Sequence, residues 1–244
     1  MFDIIAFDAD DTLWQNESLY SATQERLAHL LAPYLDGVSE TCFCDVPARL
    51  YETETRNIPY FGYGIKSFTL SMIETAITLT EGRITSADIQ RIITFAKDMI
   101  DTPTHLLDGV ADVVAQLAQT HTLMLITKGD LLDQQRKLDR SGLAEYFAHI
   151  EIVAEKTEQT YRTILSHYKV DAARFLMVGN SLKSDVLPVV AIGGQAVYVP
   201  HTLTWEHERV DPADMQHARY FELTHIGELP GLVKRLVEGK KSTD

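Results

Sequence analysis

An α/β fold is predicted. Three observations predict it: short apolar runs recur along the chain, stretches of helical periodicity separate them, and the alternation stops between Gln15 and His105. Together they describe a Rossmann-like parallel-sheet core domain with an inserted α-helical cap domain. The core takes residues 1–14 and 106–244, and the helical insert takes 15–105.

The first apolar run is Phe2 to Phe7, FDIIAF. It reads as the first strand of a parallel sheet. The insert comes next, with helical periodicity from Leu19 to Leu31 and from Ile84 to Ile100, and a predicted loop at Pro59-Tyr60-Phe61-Gly62-Tyr63-Gly64. Val110, Val113, Val114 and Leu117 form an i, i+3, i+4, i+7 stripe, with Asp108 placed to cap that helix. Strand-like runs resume at Thr122 to Ile126, His149 to Ala154, Arg174 to Val178 and Gln195 to Val199. Tyr161, Ile164, Leu165 and Tyr168 predict a helix after the third run. Leu232, Val233, Leu236 and Val237 predict another near the C-terminus, ahead of a fraying KKSTD tail.

The 244 residues carry 22 basic and 35 acidic side chains, a formal charge of −13. Segment 15–105 holds 7 basic and 12 acidic residues, so −5 belongs to the insert and −8 to the core. Neither part is a basic landing surface, which argues against nucleic-acid polymers and anionic membranes as partners. The hydrophobic share of 45% is that of a globular protein and excludes disorder. Two cysteines, Cys42 and Cys44, are too few for a disulfide framework and read as buried thiols. With no signal-peptide core and no apolar run of membrane-spanning length, a cytoplasmic location is expected.

The residues able to do chemistry stand just past the apolar runs. After the first come Asp8, Asp10, Asp11 and Thr12; after the second, Thr127 and Lys128; shortly after the third, Lys156; after the fourth, Asn180, Ser181 and Asp185. In a parallel sheet all carboxyl ends share one edge, and ligands bind outside it at the switch point. Two carboxylates, a hydroxyl, an ammonium and an amide–carboxylate pair are therefore expected in one crevice. Asp11, the third acid, reads as a turn residue.

DADDTL is similar to the D-x-D-x-T signature of the haloacid dehalogenase superfamily, whose members are mostly phosphatases. Thr127 resembles the second motif's hydroxyl, Lys156 in AEKT the third motif's lysine, and GNSLKSD the acidic fourth motif. The helical insert lies where subclass I members carry their C1 cap. The resemblance covers nearly the whole chain. It implies a phosphomonoester hydrolase acting on a small phosphorylated metabolite, with Mg²⁺ as cofactor. Asp8 would be the nucleophile, forming an aspartyl-phosphate. Asp10 would protonate the leaving alkoxide and later take a proton from water, its acid form favoured by the negative charge of Asp8 and the substrate. Thr127 and Lys156 would bind the phosphoryl group, with Lys128 and backbone amides near Ala9, Asp10 and Lys128 as further candidates. Nothing else about Lys128 sets it apart from an exposed lysine.

Oxygen-only ligands suit Mg²⁺. The candidates are Asp8, the Asp10 carbonyl, Asn180 and Asp185. Asn180 departs from the family pattern, which has an acid there. Either Asn180 ligates with Asp185 behind it, or Asp185 ligates itself. Pro188, tolerated only early in a helix, predicts a helix start near Ser184. The insert would close over the site and choose the substrate, and Trp14 either covers the mouth or packs. Lys66 is a conceivable substrate contact. A phosphonate-cleaving relative would use such a lysine, but that branch and the dehalogenases lack the second aspartate, which is present here as Asp10. His201, His207, His217 and His225 fit no zinc spacing and read as surface or packing residues. Segment Thr204 to Glu208 could border the entrance. A phosphomutase and a non-catalytic binding protein are the competing functions.

Overall fold

A computed structural model describes residues 2–35, 46–203, 205–208, 210 and 218–241. Cys42, Cys44, Thr204 and His217 lie outside the described residues. The chain divides into two compact units: 1–17 with 104–128 and 134–244, and 18–103 with 129–133.

The first unit is built on a six-stranded, all-parallel sheet in the order β3-β2-β1-β4-β5-β6. Its strands are β1 (Ile4–Phe7), β2 (Thr122–Lys128), β3 (Phe147–Val153), β4 (Phe175–Gly179), β5 (Gln195–Tyr198) and β6 (Phe221–Glu222). Alternation along each strand divides the apolar side chains between two faces. Ile5, Phe7, Leu123, Leu125, Leu176 and Val178 pack on α5 (Val110–Ala118), Leu138 of α6 (Leu131–Ser141) and α9 (Leu229–Lys241). Ile4, Ala6, Met124, Ile126, Phe175 and Met177 pack on α7 (Glu158–Tyr168) and α8 (Leu187–Ala191). Both faces of the central strands β1, β2 and β4 are covered, which is why these read as near-continuous apolar runs.

The second unit is helical: α1 (Glu17–Leu35), α2 (Val46–Phe61), α3 (Ile65–Leu79) and α4 (Ser86–Asp101). It has its own core, including Leu27, Leu31, Leu50, Phe68, Met72, Ile92 and Phe95. Lys66 belongs to it, exposed and paired with Asp130 at 2.9 Å.

Local expectations fail in three places. The helix α2 runs through Pro59 to Phe61, leaving only Gly62, Tyr63 and Gly64 as connection, because a proline in the last turn forfeits one backbone bond and the ladder closes beyond it through Gly62 N–H to Ile58 C=O at 2.9 Å. Asp108 does not cap α5; Gly109 takes that position at φ 76°, with no side-chain cap. The helix expected from Ser184 starts two residues earlier, as a π-helical turn, Leu182–Val186, capped by Ser181 and continuing into α8.

Candidate functional site

The chain runs β1 to β3 towards one side of the sheet and β4 to β6 towards the other, so the switch point lies at the carboxyl ends of β1 and β4. Asp8 follows β1 directly, its N–H bonded to Val178 C=O of β4 at 2.9 Å. Lys156, buried, donates to Asp8 Oδ1 and, at 2.7 Å, to Asp185 Oδ1. The other Asp8 oxygen accepts from Thr12 Oγ1 at 2.9 Å, and the other Asp185 oxygen accepts from Ser181 N–H at 3.0 Å.

Two buried carboxylates thus share one ammonium, leaving a net negative charge. Burial pushes the Asp185 carboxyl up, and Asp8 adds to this against the opposing pull of Lys156. Burial alone would lower the Lys156 ammonium, but Asp185 and Asp8 outweigh it and hold it charged. Gly179, the last residue of β4, makes the approach possible: a Cβ there would overlap the Asp185 carboxylate. Tyr161 supports the Leu182–Val186 turn from below, donating its hydroxyl hydrogen to Ser184 C=O at 3.0 Å.

Asp10 is held on both oxygens. Trp14 Nε1 donates to Oδ1 at 2.7 Å, Gln134 Nε2 to Oδ2 at 2.9 Å, and Lys137 Nζ to the two at 3.0 and 3.2 Å. Gln134 Nε2 also lies 3.1 Å from Thr127 Oγ1. That hydroxyl sits buried at the end of β2, and accepting from Gln134 leaves its own hydrogen to donate. Trp14 is buried; its indole packs in the core and orients Asp10 instead of covering an opening.

Asn180 places one terminus of its side-chain amide 3.1 Å from Thr12 Oγ1 and 3.3 Å from both Asp8 Oδ2 and the Asp10 carbonyl oxygen. Hydrogen bonding assigns the nitrogen to that position. Turned by 180°, the amide brings its oxygen there, 3.3 Å from Asp8 Oδ2 and from the Asp10 carbonyl oxygen. Adjacent oxygens around Mg²⁺, with bonds of roughly 2.0–2.1 Å, stand about 3 Å apart, so this donor set fits such an ion. Asp185, with its oxygens engaged by Lys156 and Ser181, stands behind the set. Among the described residues no three His, Cys, Asp or Glu side chains gather as a metal cluster. His225 caps the turn Ile226–Glu228, and His201 lies 3.8 Å from Asp11.

Lys128 is not the exposed lysine its surroundings in sequence suggest. It is largely buried, donating to Glu208 Oε1 and, at 3.1 Å, to Ser184 Oγ. Glu208 also accepts from Ser181 Oγ and, at 2.6 Å, from Ser184 Oγ. Burial raises the Glu208 carboxyl, but Lys128 and the two hydroxyls outweigh it and bring it to about 2. The segment expected to border the entrance therefore sends a charged group into the cluster.

A family model described as haloacid dehalogenase-like hydrolase matches residues 2–193. The chain belongs to the haloacid dehalogenase-like hydrolases. A haloacid dehalogenase-like family hydrolase from Xanthomonas campestris is 39% identical, with a TM-score of 0.84 over 100% of this chain and 95% of that one. A 2-haloacid dehalogenase from Pseudomonas syringae pv. tomato is 22% identical, with a TM-score of 0.63 over 97% of this chain and 100% of that one. A predicted phosphoglycolate phosphatase from Haemophilus somnus is 15% identical, with a TM-score of 0.59 over 95% and 98%. These last two share the fold. A comparison with curated proteins gives no match. The parallel sheet and helical insert are those of a haloacid dehalogenase-like hydrolase, and no helix among the described residues is long and apolar enough to cross a membrane.

In this hydrolase Asp11 has the turn role its position predicts. Its φ is 58°, and its carboxylate accepts the N–H groups of Asn16 and Glu17 at 2.9 to 3.2 Å, at the start of α1. Burial raises the Asp11 carboxyl to about 6 against these N–H bonds, with Asp10 adding to the rise. Burial, then Asp11 and Asp10, raise Glu17 from 4.5 to about 7. A carboxyl raised on folding stabilises the fold at low pH, and that stability is lost as pH climbs from the unfolded value through the folded one. Glu17→Gln should therefore stabilise the protein by roughly 2 kcal/mol at pH 8, after allowance for partial exposure and the favourable α1 N-terminus, and by nothing at pH 4. Urea midpoints at the two pH values check this; equal shifts at both would contradict it.

Sequence reasoning missed Gln134 and Lys137. Their segment, QQRKLDR, is charged and reads as a solvated helix face. The available signal was their i, i+3 spacing after a strand end, which places both on one side of a helix that starts at the sheet edge.

Proposed function

We propose that the chain is a Mg²⁺-dependent phosphomonoester hydrolase acting on a small phosphorylated metabolite through an aspartyl-phosphate on Asp8. The observation that carries this reading is the second carboxylate, Asp10, held beside Thr127 by Gln134. A halide leaves carbon without a proton, whereas an alkoxide leaving phosphorus needs one, so an ordered acid two residues past the nucleophile, linked through Gln134 to Thr127, serves phosphoryl transfer. A predicted phosphatase among proteins of the same fold accords with it, although a dehalogenase shares that fold too.

In the first step an Asp8 oxygen forms a bond to phosphorus as the bond from phosphorus to the ester oxygen breaks, and Asp10 gives its proton to that oxygen. In the second step Asp10 takes a proton from water, the water oxygen attacks phosphorus, and the bond to Asp8 breaks, restoring the carboxylate and releasing phosphate. Thr127 donates to a phosphoryl oxygen, and Lys156 fixes Asp8 for in-line attack. Asp8, the Asp10 carbonyl and the Asn180 amide oxygen would hold Mg²⁺, with Asp185 orienting Lys156. Bound there, the ion supplies the charge that lets an anionic nucleophile meet an anionic ester. That charge has few other local sources: Lys156, Lys128 and Lys137 are each committed to carboxylates of the site.

The test is a panel of sugar phosphates, nucleotides and phosphoglycolate with Mg²⁺, run beside a 2-haloacid. Inorganic phosphate should be released and halide should not. Halide release without phosphate would replace this reading by dehalogenation.

A further inference from the structure

Resting on the phosphatase reading, we infer that Lys137 and Gln134 are positioning residues that fix the Asp10 carboxylate for proton transfer to and from the reacting oxygens.

The two side chains leave α6 at i and i+3 and meet Asp10 from the same side. Lys137 Nζ spans both carboxylate oxygens and is itself anchored by Asn16 Oδ1 at 2.7 Å. Its side chain is 13% exposed and that of Asp10 is 24% exposed, so the pair is partly withdrawn from water and poorly screened. Gln134 ties Asp10 to the phosphate-binding side, since one Nε2 faces Asp10 Oδ2, Thr127 Oγ1 and, at 2.9 Å, the Lys128 carbonyl.

Packing alone does not explain Gln134. It is 3% exposed, and its Oε1 is buried without a hydrogen-bond partner among the described residues. A leucine would fill the same space without burying an unpaired carbonyl. The amide is retained at that cost where its nitrogen binds two groups of the proposed chemistry together.

The experiment compares two esters in single turnover, so that only departure of the first leaving group is read. p-Nitrophenyl phosphate loses a phenolate that needs no proton; glycerol phosphate loses an alkoxide that does. Lys137→Met should slow glycerol release by about 10²-fold and nitrophenolate release by less than about tenfold, with KM for both little changed. Lys137→Arg should restore most of the loss. Gln134→Met should show the same preference for the activated ester, and serves if Lys137→Met does not fold. Equal losses on the two esters, or no loss, would overturn the inference and leave the phosphatase reading standing. Wild-type protein that releases phosphate from neither ester, and from no sugar phosphate, nucleotide or phosphoglycolate of the panel, would overturn that reading and the inference with it; where glycerol phosphate alone fails, the best alkyl phosphate of the panel takes its place.

Discussion

Asp8→Asn should abolish turnover while leaving the protein folded. The amide cannot attack phosphorus as a carboxylate does, so the loss should be on the order of 10⁴- to 10⁶-fold, the range for removing a covalent nucleophile. The fold should tolerate the change because Asp8 is one of two carboxylates sharing Lys156. Its neutral form takes the buried triad from a net −1 to zero. The amide oxygen can still accept from Lys156 while the amide nitrogen turns to Thr12. The midpoint of thermal unfolding should therefore stay level or rise. Intact mass after a brief exposure to substrate separates the cases: wild-type protein should carry a covalent phosphoryl group, and Asp8→Asn should carry none. A variant that keeps hydrolysing p-nitrophenyl phosphate at the wild-type rate would place the nucleophile elsewhere.

The residues of this cluster fall into two kinds by how they reach the site. Asp8 and Thr127 stand at strand ends, Lys156 comes closely after one, and Asn180 is the first residue past β4. A strand end in a parallel sheet is located by the apolar run before it, so those positions are legible without knowing any helix. Gln134, Lys137 and Glu208 reach the site from a helix face and from a stretch without periodicity. Their use depends on how α6 rotates against the sheet and on where the chain after β5 returns, and neither is written in local pattern. The same distinction holds for the fold. The strands β1, β2 and β4 are visible as runs buried on both faces, and β3 and β5 as short apolar runs, whereas β6 is two residues long and half exposed, too short to carry a period. The insert's helices α1 and α4 are visible from their stripes. The end of α2 escapes any reading that weighs proline and glycine as equal breakers. Only the glycine terminates it, at φ 68°.

Lys156→Met should be strongly destabilising. The ammonium is buried and is the shared partner of Asp8 and Asp185, so its removal leaves two buried carboxylates facing each other. Breaking a buried pair by deleting one member costs about 3–5 kcal/mol, and the methionine stem recovers little of it because volume was not what the site lacked. The sign of the pH dependence is set by Asp185. Burial already raises its carboxyl from 3.8 to about 7 with Lys156 in place, and losing the ammonium raises it further. A carboxyl raised on folding contributes stability below its unfolded value and loses it as pH rises through the folded one. The gap between wild type and variant should thus be smallest near pH 5 and widen towards pH 8. Urea unfolding at both values measures it, and a gap that is constant or narrows with pH would contradict the charge account. Adding Asp8→Asn to Lys156→Met should return part of the lost stability, because it removes one of the two stranded charges. A cavity or misfit at position 156 would gain nothing from that second change, so recovery in the double variant identifies the cost as electrostatic.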